Sequence, residues 1–281
     1  MKTNLKLLLV MCLVAAFSSC QKDHSNNTTN PPATTYDTAS NSFFTASGIT
    51  DTTQKRAIDD LVTSLKQDSL WNKFYAIYPM VGGSATTTKW NLLDPRDDDG
   101  AYRLTFYGQP VFAATGILFP TSADYADSHL TDSVIGIHSS ISYYSRTQNA
   151  ISGYDMGCSD VNYPYNELSI YSDAADTSNA ADNTEWFGYN PNLSTPNTTG
   201  LFMLSSTDSN VVRYRNGEIS GQSGKAPRQA FTNLTIWIGG SRQGHKGQKE
   251  CALATIGKGL TNAEAATFYT IVQTFETKLN R

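Results

Sequence analysis

Val211-Val212-Arg213-Tyr214-Arg215-Asn216-Gly217-Glu218-Ile219-Ser220 reads as two short strands closed on an Asn-Gly pair. Asn and Gly both tolerate positive φ, so this dipeptide favours the type I′ turn that joins antiparallel strands in a tight hairpin. Outward from the hairpin, similar short runs recur with turn residues between them: Ala101–Tyr107, Ser140–Arg146, Gly153–Cys158, Glu167–Tyr171, Glu185–Tyr189, Gly200–Ser205, Thr235–Gly239 and Cys251–Ile256. About nine strands of this kind suit a sandwich of two sheets. Composition agrees: with 15 Tyr, 20 Gly, 39% hydrophobic and only 16% charged residues, the chain is better furnished for strands and turns than for helix bundles.

Helical signals flank the β region. Thr50 or Asp51 is placed to cap a helix from Thr52, in which Ala57, Ile58, Leu61, Val62 and Leu65 recur at three-and-four spacing, and the pattern reads on to near Trp71–Phe74. Near the other end, Thr261 as N-cap and Glu264 three residues later form a capping box, after which Phe268, Ile271, Val272, Phe275 and Leu279 line one side. The expectation is one all-β domain over residues 48–281, an antiparallel sandwich with one N-terminal and one C-terminal helix.

Ahead of it, Lys2 and Lys6 precede the apolar run Leu7–Phe17. As a helix that run spans about 17 Å, short of a hydrocarbon core of roughly 30 Å, so residues 1–19 read as a signal peptide and not as a membrane span. Phe17-Ser18-Ser19-Cys20 resembles the lipobox of bacterial lipoproteins, with Phe17 where Leu is usual. The resemblance implies acylation of Cys20 and anchorage in a lipid bilayer. Gln21-Lys22-Asp23 is similar to the short Lys-acidic tag of Bacteroidetes-type lipoproteins, which implies the outer membrane and its cell-surface face. Residues 20–47, rich in Ser, Thr, Asn and Pro, read as a flexible tether. Loss of Lys2 and Lys6 with the leader takes the formal charge from −4 to about −6, and no basic block remains to bind nucleic acid.

Three further segments fall in a telling order: the hairpin strand ending Asn216-Gly217, then Leu234-Thr235-Ile236-Trp237-Ile238-Gly239-Gly240, then Cys251-Ala252-Leu253-Ala254-Thr255-Ile256 running into Leu260-Thr261-Asn262-Ala263-Glu264. Together they resemble the concanavalin A-like lectin/glucanase superfamily, the laminin-G-like jelly rolls. Tyr78-Pro79-Met80-Val81-Gly82-Gly83, Arg103-Leu104-Thr105-Phe106 and Ser142-Tyr143-Tyr144-Ser145-Arg146 are similar to uncharacterised members in phage structural proteins and Bacteroidetes surface proteins. The resemblance covers roughly residues 50–281 and implies two packed antiparallel sheets. It leaves the ligand open, because lectins, glycosidases and adhesion modules share that fold.

Signs of catalysis are few. Glucanases on this scaffold carry a Glu-x-Asp-x-x-Glu strand that sets two carboxylates on one face. None of the six glutamates (Glu167, Glu185, Glu218, Glu250, Glu264, Glu276) belongs to such a motif. His129, His138 and His245 stand apart in sequence, and no nucleophile elbow or zinc motif accompanies them. Cys158 and Cys251 are left in the body of the chain, where one disulfide or two buried thiols are both open.

Asp94-Pro95-Arg96-Asp97-Asp98-Asp99-Gly100 is the densest charge cluster. Asp94, Asp97, Asp98 and Asp99 are the carboxylates that a hard cation such as calcium would select, and the other reading is a solvated acidic turn. For a ligand, Tyr163, Tyr165, Trp186, Tyr189 and Asn190 lie near turns, where rings stack on a sugar's apolar face and the amide meets its hydroxyls. For Trp186 the first reading is a core residue, and the ligand contact is the second. The sequence thus points to a lipid-anchored surface binding protein for glycans that acts without catalysis. Its alternatives are a structural or protein-interaction module and a polysaccharide-degrading enzyme.

Overall fold

Arg215 pairs with Glu218 across Asn216-Gly217, whose φ values of 51° and 80° are those of the expected type I′ turn. This computed structural model describes residues 35–148, 151, 153–160, 167–172, 179–182, 185–187, 197–208, 210–223, 231, 233–241 and 247–281. Among them, fifteen strands numbered along the chain form two sheets with antiparallel neighbours throughout.

Sheet A runs Glu218–Ser223 (β13), Val211–Arg215 (β12), Gly200–Ser206 (β11), Ser139–Ser145 (β6), Glu250–Lys258 (β15), Gly116–Leu118 (β4), Val111–Ala113 (β3), with Phe74–Tyr78 (β1) also paired to β15. Sheet B runs Glu185–Phe187 (β10), Asn179–Asp182 (β9), Glu167–Ser172 (β8), Gly153–Ser159 (β7), Thr235–Ile238 (β14), Tyr125–Thr131 (β5), Thr105–Tyr107 (β2). The chain changes sheet at β1 to β2, β2 to β3, β4 to β5, β5 to β6, β6 to β7, β10 to β11, β13 to β14 and β14 to β15. That is the interleaving of an all-β antiparallel sandwich.

Five helices accompany the sheets: Thr38–Ser47 (α1), Thr52–Gln67 (α2), the single turns Ala85–Thr88 (α3) and Asp132–Ile135 (α4), and Asn262–Lys278 (α5). The expected caps are in place. Asp51 accepts a hydrogen bond from Gln54 N at 2.8 Å, and Thr261 and Glu264 complete the capping box of α5.

Two cores result. Between the sheets lie Tyr78, Phe119, Leu130, Ile141, Tyr143, Met156, Leu168, Phe202, Ile236 and Ile256. On the outer face of sheet A, Tyr144, Leu201, Met203, Val212 and Leu253 pack with Phe43, Ile58, Leu61, Phe268 and Phe275 of α1, α2 and α5. The central strands of sheet A are therefore buried on both faces, and each fully buried Leu, Ile or Phe contributes roughly 1.5–3 kcal/mol.

Three expectations are corrected. The tether does not reach Ser47: residues 38–47 are helical, because Asp37 caps Ala39 N at 2.8 Å and Phe43 and Phe44 are buried in the helix-side core. Those two rings end a polar tract whose average composition hides them. The α2 helix stops at Gln67, and Phe74-Tyr75-Ala76-Ile77-Tyr78 is strand. A continuous apolar run in a doubly buried sheet has no alternation by which to recognise it. Strands β3, β4, β5 and β9 also went unread. Of the two states left open for Cys158 and Cys251, the structure has the buried thiols and no disulfide. They sit on β7 and β15 in opposite sheets, which pack about 10 Å apart, whereas a bridge needs Cα atoms within roughly 7 Å.

Candidate functional site

In β5 every second residue turns inward: Ala126, Ser128 and Leu130 are buried, while Tyr125, Asp127, His129 and Thr131 stay half-buried on the other side. In β14, likewise, Ile236 and Ile238 enter the core and Thr235 and Trp237 do not. Register then carries the outward positions across the sheet, since directly opposed residues share a face. One row reads Thr105, Asp127, Trp237, Gly157, Ser169, and backbone pairing continues it through positions 181 and 186.

Along this face the aromatic rings stack. Tyr107 lies on Tyr125 with centroids 4.7 Å apart and planes at 10°, and Tyr125 on Trp237 at 3.8 Å and 19°. The separation follows from the strand spacing of about 4.8 Å, which sets neighbouring rings at stacking distance. Because β2 ends the sheet, Tyr107 closes the stack at the edge and remains 42% exposed.

Polar groups hold the row from beneath. Thr235 Oγ1 donates to Asp127 Oδ2 at 3.0 Å and accepts from Trp237 Nε1 at 3.3 Å. Asp127 Oδ1 accepts from the backbone N–H of His129 at 2.9 Å. His129 adopts φ 57°, a left-handed value that non-glycine residues seldom take, where the pairing of β5 with β14 is irregular. Its Nε2 lies 2.7 Å from Thr105 Oγ1 and 3.5 Å from Asp99 Oδ1.

The acidic turn feeds this network and gathers no metal site. Arg96 takes both oxygens of Asp94 at 2.8 and 2.6 Å and holds its carboxyl below the usual range. Lys89 does the same for Asp97 at 2.8 and 2.7 Å, again lowering the pKa. Asp98 accepts from Gly100 N at 2.6 Å, and Asp99 meets Arg103 at 2.9 Å. Of the two readings of this turn, the solvated acidic turn fits the geometry: Asp94 and Asp97 are taken by cations, Arg103 is shared by Asp97 and Asp99, and among the described residues no three His, Cys, Asp or Glu side chains converge as metal ligands.

Farther across sheet B, Glu167 is buried on β8. Burial pushes its carboxyl up to about 7, against hydrogen bonds from Ser169 and Tyr154 that hold it down. Ser169 Oγ donates to Glu167 Oε1 at 2.5 Å. His138 lies elsewhere, 3.2 Å from Asp208.

Of the ligand residues read from sequence, Tyr163, Tyr165, Tyr189 and Asn190 lie outside the described residues, as does His245. Trp186 falls on β10, where backbone register puts its position in the same row as Trp237. The stack itself was missed. Trp237 was legible, because it alternates with Ile236 and Ile238. Tyr125 was not, because the polar run Tyr125–Thr131 carries no strand signature beyond its small inward residues.

No family model matches the chain, and no curated protein matches it in sequence. Among solved structures it is similar to domain 4 of an extracellular arabinanase from Geobacillus stearothermophilus, solved with arabinotriose. Identity is 12% and the TM-score 0.42, over 70% of this chain and 98% of that one. A Trypanosoma rangeli sialidase with sialic acid gives 9% and 0.48, over 71% of this chain and 33% of that one. The ligand-binding domain of botulinum neurotoxin serotype D with N-acetylneuraminic acid gives 14% and 0.40, over 71% and 51%. With scores this low, the fold assignment rests on the chain's own strand register. Register and site together define an antiparallel β-sandwich with one helix-covered face and one polar face that bears a ring stack.

Proposed function

We propose that the protein is a lipid-anchored surface binding protein that recognises glycan through the outer face of sheet B, without catalysis. The observation that carries this reading is the Tyr107–Tyr125–Trp237 stack, with its terminal ring exposed at the sheet edge. A sugar's apolar face lies on Tyr107, whose orientation the two rings behind it fix, and its hydroxyls meet the polar residues of the β2 edge. Ordering costs little, because the stack is formed before the ligand arrives. Acylation of Cys20 anchors the chain in the outer membrane and residues 21–35 space the domain from it. The lipid supplies membrane affinity at about 0.8 kcal/mol per buried CH₂, and no helix among the described residues is long and apolar enough to cross a bilayer.

A glycan-array screen of the purified protein tests the recognition, with specific, saturable binding as the expected result. Cys20→Ser should move the protein from the membrane to the soluble fraction; a variant that stays membrane-bound would remove the anchor from this account. A protein-interaction role is favoured by a further observation: Val111, 53% exposed, lies on β3, an edge strand of sheet A that is paired on one side only, with β4. A blank array from well-folded protein would favour that role.

A further inference from the structure

Between the ends of β6 and β11, the Asn216-Gly217 turn and one side of α5 lies a cavity of about 320 Å³. That is the lower end of the roughly 300–1,000 Å³ typical of small-molecule sites. Two glycines shape it. A Cβ on Gly200 would lie 2.3 Å from Asn216 Oδ1, and one on Gly217 would lie 2.8 Å from the Tyr269 ring. The Asn216 amide and the Tyr269 ring therefore close directly onto backbone, where a larger residue would push them away.

Hydrogen-bond accounting leaves this cavity rich in donors. Asn216 Oδ1 accepts from Leu201 N at 2.9 Å, and Asn197 Oδ1 accepts from Thr199 N and Oγ1 at 2.9 and 2.6 Å. With both oxygens engaged the amide orientations are set, and each Nδ2 is left to donate. Arg146 gives Nη1 to Glu250 at 3.1 Å and keeps its other guanidinium N–H groups. The long 3.4 Å bond from the Tyr144 hydroxyl to Gln273 Oε1 lets that hydroxyl turn toward a better acceptor.

The nearby carboxylates are already held, Glu250 by Arg146 and Glu276 by Arg281 at 2.7 Å. Arg281 itself is spent, since it also donates to the carbonyls of Pro79, Met80 and Ala252. What remains is a guanidinium, two amide donors and a tyrosine ring around a small concave space.

We infer that this pocket binds a carboxylate carried on a polyhydroxylated ring, the chemistry of a uronic-acid-type sugar. The carboxylate meets Arg146, ring oxygens and hydroxyls accept from Asn197 and Asn216, and the ring lies against Tyr269. A neutral sugar offers the remaining N–H groups of Arg146 no carboxylate to accept from them, and a small bare anion leaves the amides and the ring unused. Tyr269 and Gln273 also line a shallow groove along α5 with Thr270, Thr274 and Thr277, where a longer acidic chain would continue. The site is separate from the aromatic face of sheet B and stands or falls without it.

The test is a titration of the full-length protein, by calorimetry and amide chemical shifts, with glucuronate, glucose, acetate and a glucuronate-terminated oligosaccharide. Glucuronate should bind saturably at millimolar concentration or below, and glucose and acetate about tenfold or more weakly. The oligosaccharide should bind more tightly than the free acid if a chain is the natural source, and equally if a free sugar acid is. Arg146→Gln should weaken glucuronate about tenfold or more, a loss of one charge-assisted contact. Asn216→Gly, which keeps the turn because glycine adopts positive φ, should weaken it by a smaller factor; it also serves if Arg146→Gln disturbs the fold. Tyr107→Ala should leave this binding unchanged. No glucuronate binding, equal affinity for glucose and acetate, or indifference to both pocket variants would overturn the inference.

Discussion

The outer faces of sheets A and B are built from the same kind of antiparallel strand and differ in what lies on them. On sheet A, Tyr144, Leu201, Met203, Val212 and Leu253 meet the apolar sides of α1, α2 and α5. On sheet B, Thr105, Asp127, Thr235 and Trp237 stand half-buried, and the helices that pack beside its strand β5 are single turns, α4 and the 3-10 turn Asp99–Ala101. The first arrangement spends its side chains on stability. The second leaves rings and hydroxyls at the surface, where burial contributes little and contact with a ligand can contribute much.

If this division is right, truncation on the helix-covered side should be the most damaging change. Phe268 is 1% exposed and its ring centroid lies 5.1 Å from that of Phe74. Phe268→Ala should cost about 3–5 kcal/mol in denaturant unfolding, and a loss below about 1 kcal/mol would mean that α5 is not a structural layer.

The next effect belongs to sheet B and depends on pH. Folding raises the Glu167 carboxyl from 4.5 to about 7, so the folded state favours the protonated form. The associated stability is fully present below about pH 4.5 and is lost as pH rises through about 7. Glu167→Gln keeps an acceptor for Ser169 without the charge. It should stabilise the protein at pH 8 on the order of 2–3 kcal/mol and flatten the slope between pH 4.5 and 7. An unchanged slope would show that Glu167 titrates normally and that this part of the face is solvated.

Smaller still is the cap of α5. Thr261→Ala removes a side-chain acceptor for Glu264 N and should cost about 1 kcal/mol. At the bottom of the scale, millimolar calcium should leave the melting temperature unmoved, because Asp94 and Asp97 are already neutralised by Arg96 and Lys89. A rise of several degrees would restore the metal site that the sequence suggested.

Legibility in the sequence followed the same division. The hairpin at Asn216-Gly217 and the capping box at Thr261 and Glu264 could be read because local chemistry determines them. The apolar stripes of α2 and α5 were legible because one side of each helix is buried. Strand β1 was not, since Phe74–Tyr78 is buried on both sides and carries no alternation to set it apart from a helix end. Nor was β5, whose inward Ala126 and Ser128 are too small or polar to announce a strand and leave Leu130 as its one large apolar inward residue.

The site inherited those gaps. Trp237 alone of the three stacked rings stood in a strand whose alternation was plain. Tyr107 ended a strand whose neighbour, β5, was unknown, and it is the register between β2 and β5 that brings Tyr107 and Tyr125 together. The acidic turn kept two readings open for a related reason: clustering in sequence says nothing of Lys89 and Arg103, which only the fold delivers to Asp97.

The most direct test of the division between the two faces is glycan-array binding by Tyr107→Ala beside the unaltered protein. Tyr107 is exposed and its removal empties no core, so the melting temperature should stay close to that of the parent. The account expects glycan binding to fall by about tenfold or more, the worth of one aromatic contact of roughly 1–3 kcal/mol. Undiminished glycan binding by a folded Tyr107→Ala protein would contradict it and place recognition elsewhere on the molecule.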